Sequence, residues 1–180
     1  MQSFESYLRN NIDALLNIDE DALHSLVHEV NQTIQNGGIL WLAGNGGSAS
    51  TASHASCDLS KGVSLKKGKP IRAFSLMDQI ATLTAWANDF SFDSAIAGMC
   101  KQYLRKEDLL IVISASGNST NILNAVIEAK ALQVRTASLT GFDGGKVAKI
   151  SDFNVNISST DMQVIENAHL VICHWLFKVL

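Results

Sequence analysis

Basic runs, long apolar runs and paired cysteines are all scarce in this chain of 180 residues, and each absence closes off a class of function. Fourteen basic side chains face 17 acidic ones, for a formal net charge of −3. Nucleic acid is therefore not an expected partner, because binding a phosphate backbone requires clustered Lys and Arg to displace counterions. The nearest cluster, Lys66-Lys67-Gly68-Lys69, is short and reads as a solvated loop. Cys57, Cys100 and Cys173 are odd in number and far apart, which suggests neither a disulfide framework nor a CxxC metal knuckle. They read as buried thiols of a cytosolic protein. No apolar run reaches the ~18 residues of a membrane span, and Met1 to Ser6 lack the basic and apolar regions of an export signal. The expectation is a cytoplasmic protein with no membrane partner.

What is present suits a packed core. Hydrophobic residues make up 47% of the chain and Pro70 is the only proline, so residues 1–180 are expected to form a single domain. Residues 1–36 read as a helical hairpin, with Leu8, Ile12, Leu15 and Leu16, then Leu23, Leu26, Val27, Val30 and Ile34 at helical spacing. Residues 37–160 read as an α/β core. Short apolar runs at 39–43, 71–76, 109–113, 134–139 and 153–157 suit strands buried on both faces, each separated by enough chain for a crossover helix. The expected fold is an α/β three-layer sandwich around a five-stranded parallel sheet, closed by a C-terminal helix over 161–180. That helix has almost no polar face, which predicts a covering partner subunit and hence a homo-oligomer.

Two loops have the chemistry of an anion site, since helix N-termini beyond the carboxyl ends of parallel strands favour negative charge. After the first strand comes Gly44-Asn45-Gly46-Gly47-Ser48-Ala49-Ser50, which carries neither GxGxxG nor the GK[ST] of a nucleotide loop. After the third comes Ser114-Ala115-Ser116-Gly117-Asn118-Ser119-Thr120. Either loop alone is as well explained by serine N-caps and turns. Together, at central strand ends, they point to a small anionic ligand. The turn Thr140-Gly141-Phe142-Asp143-Gly144-Gly145 reads as structural, and Asp78 as the cap of a helix beginning at Gln79.

His54 and Asp58 lie four apart on the helix after the first loop, while Glu166, His169 and His174 lie on the last helix. Glu166 and His174 are ~12 Å apart along the axis and converge only with extended side chains or with one from a neighbouring chain. Two histidines and two carboxylates suit Zn²⁺ or another borderline divalent ion, and equally suit an acid and a base beside a carbonyl. Trp41, Trp86 and Trp175 read as core or interface aromatics, His24 and His28 as surface or interface residues, and His169 as a packed structural histidine.

Gly44-Asn45-Gly46-Gly47-Ser48-Ala49 with His54, Asn88-Asp89-Phe90, the serine loop, Leu139 to Lys146, and Ile165-Glu166-Asn167-Ala168-His169 with His174 together resemble the sugar isomerase (SIS) fold. Within it the phosphoheptose isomerase branch is the most similar. The resemblance implies a homotetramer with active sites between subunits. It implies conversion of sedoheptulose 7-phosphate into D-glycero-D-manno-heptose 7-phosphate through an enediol(ate), for heptose of surface polysaccharide such as lipopolysaccharide.

By the same resemblance Asp58 and His174 are the catalytic acid/base pair. Substrate contacts fall on Asn45, Gly46, Gly47, Ser48, Asp58, Asn88, Asp89, Ser114, Ala115, Ser116, Ser119 and Glu166. A divalent metal, with zinc as first candidate, has its ligands at His54, Asp58, Glu166 and His174, and no organic cofactor is implied. The chain departs from the family pattern at Asp58 (usually Glu), Glu166 (usually Gln), Ala115 (commonly Thr) and Gln163 (usually Asp). Two rivals remain at this point: a non-catalytic SIS protein binding a phosphosugar or a protein partner, of the type that associates with a replication initiator, and an isomerase of another sugar phosphate.

Overall fold

The computed structural model describes residues 3–180. Met1 and Gln2, which belong to the stretch tested above for an export signal, lie outside the described residues. Helix α1 (Phe4–Leu16) starts where the Ser3 hydroxyl accepts from the Ser6 N–H, and α2 (Glu20–Gln35) where the Asp19 carboxylate accepts from Asp21 and Ala22. Side chains of this kind satisfy N–H groups that a helix start leaves without partners. Gly37, at φ +74°, turns the chain out of α2 into the sheet.

Strands β1 (Leu40–Gly44), β2 (Ala73–Ser75), β3 (Leu109–Ser114), β4 (Arg135–Gly141) and β5 (Phe153–Ile157) form one parallel sheet in the order β2-β1-β3-β4-β5. The strand period of two divides their side chains between two cores. Leu40, Leu42, Leu109, Ile111 and Ile113 face one core with α1, α2, α3 (Gly46–Cys57) and α9 (Met162–Val179). Trp41, Ala43, Leu110 and Val112 face the other, with α6 (Phe92–Tyr103) and α7 (Thr120–Ala131). This is the expected three-layer α/β sandwich.

The differences are local. The second strand spans Ala73–Ser75 rather than 71–76, because Leu76–Asp78 wind into a 3₁₀ turn ahead of α5 (Ile80–Asp89). Asp78 caps nothing at α5, whose N-cap is Gln79; instead it accepts from the Ser53 hydroxyl at 2.5 Å. Thr140 and Gly141 belong to β4, so the third glycine turn begins at Phe142 and leads into α8 (Gly145–Ile150). Lys66 and Lys67 lie in a short helix, α4 (Ser64–Lys67), and the Lys66 ammonium donates to the Lys178 carbonyl.

The larger correction concerns α9. Seven of its residues are already buried within this chain, among them Ile165, Ala168, Ile172 and Leu176, so its apolar character alone does not call for a partner. The hairpin and α3 cover it, as a sequence count of polar residues could not anticipate. On α9 itself Met162, Val171 and Val179 stay exposed; elsewhere Phe4, Leu8, Ile12 and Leu16 repeat every fourth residue along α1, and Ile80, Phe90 and Phe92 are exposed around α5.

Candidate active site

The sheet order departs in opposite directions from β1, to β2 on one side and β3 on the other. Between β1 and β3 the following loops therefore separate and leave a crevice. The first loop passes through Asn45 into α3, and the second, from Ala115 to Ser119, into α7. Their ends are tied by a reciprocal amide pair, in which Asn45 and Asn121 each donate to the other's side-chain oxygen at 2.8 Å. Asn121 was not singled out in the sequence; its only signal is an amide on the first turn after the serine loop.

The crevice is a cavity of about 130 Å³ lined by Asn45, Ser48, Ile113, Ser114, Ala115, Ser116, Ser119, Met162 and Glu166. Neither Ser48 nor Ser119 caps a helix with its side chain, although Ser119 does hold the expected N-cap position. Ser119 stands at the N-cap of α7 without making a side-chain cap bond, and Ser48 lies inside the first turn of α3, behind the N-cap Asn45. Their hydroxyls are thus left for the cavity, along with the N–H ends of two helices, an arrangement suited to a phosphoryl group. Gly46, at φ +51°, lets the first loop turn sharply into α3.

The serine loop rests on the third glycine turn. Gly117, at φ +59°, lies against the Gly144 carbonyl so closely that a Cβ would overlap it, and the Gly117 carbonyl accepts from the Val147 N–H at 2.9 Å. That turn is structural, as its sequence suggested.

A second cluster lies at the far end of α3. His54 Nε2 and His174 Nε2 face each other at 2.8 Å, and Asp58 Oδ2 is 3.4 Å from His54 Nε2. Ligand atoms of the three all fall within 4.8 Å of one another. Two imidazole nitrogens face to face demand either one proton between them or a cation, and two imidazoles with a carboxylate suit a borderline divalent ion. These residues fit such an ion.

Glu166 stands outside that group. Its carboxylate lies over Gly47, with Oε2 2.7 Å from where a Cβ on Gly47 would be, and it lines the serine cavity. The physical reason is that α3 and α9 run side by side in the same direction. Glu166 meets Gly47 at the start of α3, where its N–H groups attract a carboxylate, and His174 meets His54 near its end. The four expected metal ligands therefore divide between the two ends of the α3–α9 contact, about 10 Å apart by the 1.5 Å rise of a helix.

Asn88 and Asp89 are brought to neither cluster. They pair with each other at 3.0 Å on the exposed end of α5, beside Trp86 and Phe90. His169 is fully buried, with Nε2 on the Thr140 carbonyl at 3.1 Å and Nδ1 without a partner among the described residues; burial pushes its pKa down to about 4, against that hydrogen bond. It is a packed neutral histidine, as read. Trp41 stacks on Tyr103 and donates to Asp108 in the core, and His24 and His28 are exposed. Burial also pushes the Cys100 and Cys173 thiols up to about 12, with the Asp58 charge adding to the latter, while Cys57 is exposed rather than buried.

Residues 3–141 match the family model described as SIS domain. A phosphoheptose isomerase from Helicobacter pylori is 40% identical over 157 residues, covering 87% of this chain and 81% of the relative. The chain belongs to the SIS domain family, in its phosphoheptose isomerase branch. A probable phosphoheptose isomerase of Thermoplasma acidophilum is 30% identical over 172 residues, covering 96% of this chain and 94% of the relative. Among solved structures, a phosphoheptose isomerase from Francisella tularensis superposes with a TM-score of 0.90 at 29% identity, covering 98% of this chain and 93% of that one. The SIS fold thus extends through α9, beyond the residues the family model matches. No helix among the described residues is long and apolar enough to cross a membrane.

Proposed function

We propose that this SIS chain is an isomerase that interconverts sedoheptulose 7-phosphate and D-glycero-D-manno-heptose 7-phosphate, supplying heptose for surface polysaccharide such as lipopolysaccharide from the cytoplasm. The observation that carries the reading is the contact between α3 and α9, which has an anion cradle at one end and proton-transfer groups at the other. A long open-chain sugar phosphate has the same layout, with its ester at one end and its carbonyl at the other. Ser48, Ser114, Ser116 and Ser119, with the backbone of Gly46, Gly47 and Ala115, would hold the phosphoryl group, and Asn45 would keep the loops in place. That remote binding orients the reacting carbons at the second cluster.

There, one of Asp58 and His174 takes the proton from the carbon beside the carbonyl, and the resulting enediol(ate) receives a proton on the neighbouring carbon. A proton passes between the oxygens in the same sense, from the old hydroxyl oxygen to the old carbonyl oxygen, so carbonyl and hydroxyl change places with no net loss of atoms. Glu166, beside the cradle, accepts from sugar hydroxyls. A divalent ion such as Zn²⁺, held by His54, Asp58 and His174, would supply polarisation of the carbonyl and stabilisation of developing negative charge. Glu166 would join that set only by swinging away from Gly47.

A homotetramer formed from one-domain subunits completes the reading. The uncovered apolar residues of α1 and α5 support subunit contacts, and a neighbouring subunit is the route by which Asn88 and Asp89 would reach a substrate. The test is incubation with sedoheptulose 7-phosphate in deuterated water, with and without a chelator. Deuterium should enter the carbon next to the carbonyl. Retained sugar-phosphate binding with no incorporation under either condition would instead support a non-catalytic binding protein.

A further inference from the structure

The helix carrying His54 changes pitch at Asp58. Residues Asp58–Val63 form a π-helical turn between α3 and α4, wider than an α-helical turn, and such turns are uncommon in helices. The widened turn has a side-chain gap at Gly62, and the ring of Phe177 from α9 fills it. A Cβ on Gly62 would overlap ring atom Cε2 and come within 3.2 Å of Cδ2 and Cζ. Phe177 lies three residues beyond His174, on the same side of α9. The Lys66 ammonium holds the end of α9 one residue further on, at the Lys178 carbonyl.

Resting on the reading of His174 as a proton-transfer group, we propose that Gly62 is a positioning residue, which seats Phe177 in the wide turn and so sets the rotation of α9 that brings the His174 ring to His54 and Asp58. Gly62 touches no substrate atom in this scheme. The contacts Glu166 to Gly47, His174 to His54 and Phe177 to Gly62 occur in the same order along both segments, so the last of them is the stop that fixes the other two in register.

The test is Gly62→Ala, compared with Gly62→Ala/Phe177→Leu, in which the smaller side chain restores the space. Alanine favours helix over glycine, so a loss of turnover in the single variant would not come from backbone propensity. Displacement of His174 by the methyl group should lower kcat by about tenfold or more and raise KM less, because α9 contributes only Met162 and Glu166 to the cradle, whose other residues lie at and after the ends of β1 and β3. The double variant should recover most of the turnover. Leu26→Ala, a core truncation in α2, serves as a control of reduced stability in which kcat should hold.

A readout independent of turnover is the nuclear Overhauser contact between the His54 and His174 rings, expected in the parent protein, weakened in Gly62→Ala and restored in the double variant. An unchanged contact and kcat in Gly62→Ala would overturn the positioning role while leaving the isomerase reading intact. A contact that is lost and regained in a protein inactive on sedoheptulose 7-phosphate would do the reverse. If Gly62→Ala does not fold, a folded double variant without the contact also overturns the proposal.

Discussion

Asp58 and Ser119 sit in two separate clusters, the one with His54 and His174 and the other in the serine cavity, so removing them should affect different kinetic constants. Asp58→Asn should lower kcat by about 10²- to 10⁴-fold with KM little changed, the usual scale for a lost acid–base group. Ser119→Ala should raise KM by about tenfold, since one hydrogen bond to a charged ester is worth roughly 1.5 kcal/mol. Steady-state kinetics on sedoheptulose 7-phosphate distinguish the two. His169 makes a separate prediction about stability. Because burial lowers its folded pKa to about 4, below the usual 6.5, the unfolded chain binds the extra proton first. Its contribution is intact above about pH 6.5 and is lost as pH falls toward and through about 4. Urea titrations across this range should show a stability loss on the order of 2 to 3 kcal/mol that His169→Gln, still able to donate to Thr140, largely lacks.

At the scale of elements, the site depends on how turns lean on one another. The serine loop holds its shape because Gly117 fits against the Gly144 carbonyl at a positive φ. Gly117→Ala adds both a steric overlap with backbone and an unfavourable left-handed residue. It should cost about 1 to 3 kcal/mol in thermal or urea unfolding and weaken inorganic phosphate binding beyond the loss from Ser119→Ala. The chemistry-bearing types in these turns were legible in the sequence, since glycines and serines after apolar runs name the loops directly. What each serine does was not. Ser48 and Ser119 look like caps in one dimension, and only the helix starts show that their hydroxyls are not spent on capping.

Across the whole molecule, the exposed residues of α1 form a stripe of Phe4, Leu8, Ile12 and Leu16 on one face. Ile12→Glu with Leu16→Glu should shift the solution mass, read by light scattering, from a tetramer to smaller species. The same variant should lose turnover if Asn88 and Asp89 act across a subunit boundary. A parent protein that is strictly monomeric would contradict this picture.

Strand and helix alternation, the two glycine- and serine-rich loops and the histidines were determined by the sequence alone, because hydrophobic period and turn chemistry are local properties of the chain. Order within the sheet, the covering of α9 by the hairpin, and the Asn45–Asn121 tie depend on contacts between residues far apart in sequence, which no local pattern encodes. The division of Glu166 from His174 is the clearest case. Their spacing on α9 left convergence open, and only the parallel run of α3 beside that helix gave each one a different partner.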